Sequence, residues 1–491
     1  MFTSELWQQS GVSTYSIDQS IRFNPADTPY MHKTYSGAGD RTAWTFSTWF
    51  KLGECNGMAS SGGLYYVFFA CDNATNDANR GIFSINNDSS ESSSMQIQFE
   101  GHSTKFLRTN RKLRDPSSWY HITLVWDSDN AVAQDRCRLY INGERETSFA
   151  TQNNPTSGQE IGINLAAKHT IGAGINISTS GVVYHFDGYM AETVFLDGTA
   201  TDASSFGEFK EDSDIWVPKD VSDLTFGTNG FWIDGRDSSA FGDDEAGSND
   251  YTTSGLAAHD FCLDSPTNNF AVMNPLLTKD SDFEYSEGNL KIDFNSNTAW
   301  TNGMGASMSM SSGKWYWEVY WTTGTHYTMF GILPTELLHT CADSGSSGLY
   351  TLGNFFQARS GGSTYDFYKQ VSTDTTPSGD FAQGDYLQFA LDMDNKKFWW
   401  GKNNTWFSSG NPSAGSNEMI GSADLPSDGY TPVFLGYSSG GDSVVQVNFG
   451  QDSTFAGVVS AGGNSDGSGI GNFKYAPPSG FKALCTKNLG S

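Results

Sequence analysis

Lys314-Trp-Tyr-Trp-Glu-Val-Tyr-Trp321 decides the fold class. Nearly every residue in it favours strands, and at the two-residue period of a strand Trp315, Trp317, Val319 and Trp321 share one face. Such a strand belongs in the core of a β-sandwich. A polar Gly/Ser-rich lead precedes it, Phe330-Gly-Ile332 follows it, and the distant Val445-Gln-Val-Asn-Phe-Gly450 is a candidate pairing partner.

Composition extends this reading to the whole chain. At 491 residues the chain implies two or three domains, each able to bury a core. With 54 glycines, 14% aromatic and only 17% charged residues, short strands and tight turns are favoured and helices are not. The formal charge of -27 repels phosphate backbones and anionic membranes, so nucleic acid is excluded as an expected partner. No stretch approaches the roughly 18 apolar residues of a membrane helix, and Met1 to Trp7 lacks a signal-peptide pattern. Membrane insertion is therefore not expected. The six cysteines form no Cys-x-x-Cys pair and read as free thiols of a reducing cytoplasm, with Cys55 and Cys71 alone close in sequence.

Strand-like runs alternate with turn signals across five segments. Residues 1–15 are a polar lead with the character of a docking segment. Residues 16–209 carry the first sandwich, in which Trp119-Tyr-His-Ile-Thr-Leu-Val-Trp126 and Arg138-Leu-Tyr-Ile141 lead into Asn142-Gly143, a strong hairpin-turn signal. Residues 210–287 read as an ordered Asp/Ser/Gly-rich connector with short strands around Gly230-Phe-Trp-Ile233 and Asn269 to Pro275. Residues 288–451 form the second sandwich and residues 452–491 a C-terminal segment. The expected fold is all-β, two antiparallel sandwiches in series.

These residues resemble known families. Trp44-Thr-Phe-Ser-Thr-Trp-Phe50, Leu139-Tyr-Ile-Asn-Gly143 and Phe186-Asp-Gly-Tyr-Met-Ala-Glu192 are similar to a concanavalin A-like jelly roll of the laminin-G and pentraxin type. Gly313 to Val319, Gly384 to Asp392, Phe398-Trp-Trp-Gly-Lys-Asn403 and Val447-Asn-Phe-Gly450 resemble the SPRY sandwich in order and spacing. The whole chain, including Asp264 to Phe270, Asn274-Pro275 and Pro477 to Cys485, resembles large structural proteins of marine tailed bacteriophages. That resemblance implies a virion fibre or adhesin, made in the host cytoplasm, that contacts a host surface glycan, other virion proteins and further copies of itself.

Catalysis finds little support in the sequence. A retaining glucanase of jelly-roll fold needs two carboxylates close together, whereas Glu192 and Glu318 are each alone in an otherwise packing strand. No Gly-x-Ser-x-Gly elbow that follows a strand and precedes a helix accompanies the eight histidines, and His121 lies within a strand. No cofactor is required by this reading. Calcium is the sharper option, because hard cations take about six to eight oxygens and Asp/Asn loops supply them. Asp72, Asn73 and Asp77 are the first choice, ahead of Asn86 to Asp88 and of Asp243 to Glu245 with Asp250. Glycan recognition needs aromatic faces beside polar groups. The candidates are Trp300, His326, Tyr327, Tyr365, Tyr368 and Trp406, near strand ends of the second sandwich. The expected function is a non-enzymatic tail fibre or adhesin that binds host surface polysaccharide. A capsid or tail decoration protein and a polysaccharide depolymerase are the alternatives.

Overall fold

The computed structural model describes residues 15–53, 65–71, 80–86, 95–101, 104–176, 181–211, 213–278, 283–294, 303–324, 327–342, 349–358, 366–369, 372–374, 383–437 and 443–489. The chain forms two compact units, Met1–Asn269 and Phe270–Ser491. Both are built of antiparallel sheets, and among the described residues the α-helix is confined to Thr486–Leu489.

In the first unit, two eight-stranded sheets enclose one core. Ala43–Leu52 is central to one of them, between Trp119–Asp127 and Gly188–Asp197. Its alternate residues Trp44, Phe46 and Phe50 point inward, where Trp44 stacks on Trp126 and Phe46 on Phe69 at centroid separations of 6.1 and 5.0 Å. The expected turn is present: Asn142 and Gly143 both have positive φ, and Glu144–Arg145 returns alongside Cys137–Ile141. Two of the strands in the facing sheet carry no strong sequence signal. One is Tyr30–Thr34; the other is Thr104–Lys112, whose Lys105, Arg108, Arg111 and Lys112 mask its period-two pattern.

The segment 210–287, read from the sequence as a connector, divides at the unit boundary. Phe231–Ile233 pairs with Gly188–Asp197, Thr252–Ser254 with Tyr30–Thr34, and Phe261–Cys262 with Ser20–Phe23. Phe231, Ile233, Phe241 and Tyr251 are buried in the first core, which is why this polar segment is ordered. Further along it, Asp264 reaches the outer face of the sheet that holds Ala43–Leu52. There Lys51, fully buried, meets Asp264 at 2.8 Å, and the Trp119 indole N–H donates to the same carboxylate at 2.9 Å.

In the second unit an eight-stranded sheet packs on a six-stranded one. Lys314–Gly324 lies at the centre of the larger sheet, between Tyr386–Asp392 and Ser443–Asn448. Trp315, Trp317, Val319 and Trp321 all enter the core, where Trp317 stacks on Phe389 at 5.1 Å. The opposite face of this strand is covered by the C-terminal segment. Lys482–Ala483 adds parallel to Trp315–Tyr316, Phe473 packs on Tyr316, and Phe481 on Trp399. Trp399 and Trp400 point to opposite faces of their strand, yet both are fully buried, because Phe481 packs against Trp399.

Candidate functional site

Each of the two lone strand acids is sealed in its sheet. Glu318 stands where the neighbouring strand changes, opposite Asn448, with Lys482 taking over at Trp315. Its carboxylate accepts the Tyr316 hydroxyl at 2.9 Å, the Asn448 amide at 3.3 Å, and the backbone N–H groups of Lys474 and Tyr475 at 2.8 Å each. Burial outweighs these donors and raises its pKa to about 7. Glu192 lies at a bulge in Gly188–Asp197, at φ 52°, and accepts the Tyr15 hydroxyl at 2.8 Å. Burial again lifts its pKa, to about 8. Both carboxylates hold covering segments in place.

His121 is equally enclosed. Its Nδ1 lies 3.1 Å from the Trp216 indole nitrogen and its Nε2 2.8 Å from the Ser47 hydroxyl. An indole N–H can only donate, so Nδ1 is the acceptor and Nε2 carries the proton. Nε2 therefore gives its hydrogen to Ser47 Oγ, the reverse of what activation of a serine nucleophile requires. Burial pushes the imidazole pKa down to about 3, so the ring is neutral.

Trp216 leads outward from this histidine to an open cleft of about 390 Å³ on the first unit, lined by Tyr140, Asp202, Ser204, Phe209, Trp216 and Lys219. One wall is the two-stranded ribbon of Gly207–Phe209 and Trp216–Pro218, in which Phe209 sits edge-on to Trp216 at 4.9 Å. The indole packs closely against two glycines. A β-carbon on Gly143 would lie 2.3 Å from Trp216 Cε3, and one on Gly207 2.5 Å from Cε2. Glycine is thus required at 143 both by φ +79° and by the ring above it. Trp216 remains half-buried, so part of a rigidly held aromatic surface faces the cleft. The Asp202 carboxylate, which caps the short turn Ala203–Ser205 through Ser204, and the exposed Lys219 ammonium give polar partners at the rim. Size, aromatic wall and polar rim together suit a sugar ring.

Sequence reasoning placed the binding aromatics in the second sandwich. Trp300, His326 and Tyr365 lie outside the described residues. Tyr327 opens the strand Tyr327–Pro334, in register with Tyr437. Tyr368 is half-buried, packs edge-on against Tyr350 at 5.0 Å and donates its hydroxyl to Gln357 at 3.1 Å. Trp406 is half-buried on the edge strand Thr405–Trp406, with its ring over Gly401. The neighbours Phe367 and Phe407 touch across the sandwich, centroids 5.9 Å apart. The Trp216 cleft was missed because its walls come from residues 140–143 and 202–219. Its only local signals were the Asn142-Gly143 turn and the tryptophan after Asp-Ser-Asp-Ile.

The metal candidates Asp72, Asn73 and Asp77 lie outside the described residues, as do Asn87 and Asp88. Asp244 spends its oxygens on the backbone N–H groups of Trp232, Ala246 and Asn249 at 2.9 to 3.0 Å, while Asp250 takes its own N–H. That cluster builds a turn. Among the described residues no three His, Cys, Asp or Glu side chains gather as metal ligands.

Comparison with known proteins agrees with the first fold. The family model described as the concanavalin A-like lectin/glucanases superfamily matches residues 28–204. No curated protein matches the chain. Among solved structures, the chain is similar to the SPRY domain of human HERC1, with 18% identity and a TM-score of 0.25 over 36% of this chain and 96% of that one. The TRIM65 PSpry domain gives 11% and 0.26 over 36% and 91%. The heptameric SAP-like pentraxin from Limulus polyphemus gives 16% and 0.28 over 38% and 78%.

Proposed function

We propose that this chain is a non-enzymatic structural protein of a bacteriophage virion, a tail fibre or adhesin that binds a pyranose unit of the host's surface polysaccharide in the Trp216 cleft. The observation that carries the reading is the half-buried indole, packed on Gly143 and Gly207 and hydrogen-bonded to His121, beside polar groups able to hold hydroxyls. The virion setting, with assembly in the host cytoplasm, is supported by the resemblance at Asp264 to Pro275 and Pro477 to Cys485. Partners on this reading are other virion proteins and further copies of the chain. Weak single sites become effective in multiple copies, since linked sites gain avidity without new contacts. The burial of Glu192 and Glu318 and the tautomer of His121 support binding over hydrolysis. Calcium, if it takes part, belongs at Asp72, Asn73 and Asp77.

A glycan array probed with the full chain at millimolar calcium tests this. Binding to host surface polysaccharide, weakened at least about tenfold by Trp216→Ala, is the expected result. A silent array favours the second reading, a decoration protein making mainly protein contacts. That reading has its own support: the ribbon tip exposes Phe209 (45%) and Ile215 (58%). Release of reducing ends from the polysaccharide would instead indicate a depolymerase.

A further inference from the structure

A two-stranded ribbon is marginal by itself in water, so Trp216 needs an anchor outside Gly207–Phe209 and Trp216–Pro218. We infer that His121 is the positioning residue of the cleft, its ring accepting the Trp216 indole N–H while its backbone fixes the turn on which that indole rests. The inference rests on the glycan-binding reading above and names the residue that makes the site rigid.

Two sets of contacts converge on this histidine. From the ring, Nδ1 takes the indole N–H at 3.1 Å and Nε2 donates to Ser47 at 2.8 Å, while Trp49 packs against the imidazole at 4.7 Å. Ring rotation would break both hydrogen bonds at once. From the backbone, the N–H of His121 donates to Asn142 Oδ1 and its carbonyl accepts the N–H of Asn142, each at 2.8 Å. Asn142 is thereby held in its left-handed conformation, and Gly143 is presented under the indole. One buried residue thus sets the indole's edge and, through the turn, the surface beneath its face. A leucine of similar size would fill the space yet leave the indole N–H without its acceptor and the ribbon free to swing.

The test uses the full chain carrying ¹⁵N-histidine and ¹⁵N-tryptophan, with Trp216→Phe to assign the indole resonance. In the wild type, His121 should show a bare Nδ1 and a protonated Nε2, and the Trp216 indole proton should exchange slowly. In His121→Leu that exchange should quicken about tenfold or more, and affinity for whichever array oligosaccharide the wild type binds should fall about tenfold. His121→Gln, which restores an acceptor, should keep both within about threefold. The opposite tautomer in the wild type overturns the inference, as does unchanged indole exchange in His121→Leu. If the leucine variant does not fold, the wild-type tautomer decides. If the indole responds as expected and no oligosaccharide binds the wild type, the positioning stands and the glycan reading fails.

Discussion

The carboxylate of Glu318 accepts the backbone N–H of Tyr475 at 2.8 Å, across 157 residues of sequence. Together with the bond from Lys474, this ties the C-terminal segment to the central strand of the second unit. Removing the carboxylate strands several buried donors, each worth about 1 to 3 kcal/mol. Glu318→Ala should therefore lower the stability of the second unit by about 3 kcal/mol or more, measured as a shift of its urea midpoint.

The same residue sets a pH dependence. Its folded pKa, about 7, lies above the ordinary carboxylate value, so the folded state holds the proton more tightly than the unfolded one. Its contribution is complete below about pH 4.5 and is lost as pH rises through 7. Urea midpoints of the second unit should fall between pH 5 and pH 8, and Glu318→Gln should flatten that slope. A slope unaltered in the glutamine variant would assign the effect elsewhere.

His121 and His169 act in the opposite sense on the first unit. Burial lowers their pKa values to about 3 and 4, so the unfolded chain takes up protons first. Their contribution is complete above about pH 6.5 and is lost as pH falls through these values. Glu192, raised to about 8, opposes them at the alkaline end. Thermal unfolding of the first unit should peak near neutrality, and His121→Gln should reduce its acid sensitivity.

Lys51 and Asp264 form a fully buried ion pair. Breaking such a pair by removing one partner costs about 3 to 5 kcal/mol, whereas replacing both by apolar groups costs far less. Lys51→Met should destabilise the first unit by that amount, and adding Asp264→Leu should recover part of it. Additive losses in the double-mutant cycle would show that the two charges do not interact.

Gly207→Ala places a β-carbon against the Trp216 ring without any strain from positive φ. It should expel the indole, reddening tryptophan emission, while leaving the main sheets intact. Unchanged emission would mean the ribbon shifts to accommodate the methyl.

Much of this was legible in the sequence. The aromatic strand at 314–321, the Asn142-Gly143 turn and the strand Ala43–Leu52 rest on period-two burial and turn chemistry, which act over a few residues. Tyr30–Thr34 and Thr104–Lys112 were not, because charged side chains interrupt their alternation. The covers on the outer sheet faces escaped for a different reason. Asp264 pairs with Lys51 from 213 residues away, and Trp216 reaches His121 from 95, so no local pattern marks either contact. A single acid in a strand can be seen in a sequence; what it holds cannot.

The late strands of the first unit constrain how it is made. Ser20–Phe23 lies between Gly188–Asp197 and Phe261–Cys262, and Tyr30–Thr34 between Lys168–Ile171 and Thr252–Ser254. On the ribosome, the earliest strands therefore wait for the latest, and such non-local pairing is slow and leaves edges open meanwhile. A polypeptide stopped at residue 204, where the family match ends, would leave Lys51 without Asp264 and the segment that carries it, and Tyr30–Thr34 without an outer neighbour. The smallest heritable unit of this sandwich therefore extends some sixty residues past its recognisable signature, to the boundary at Asn269.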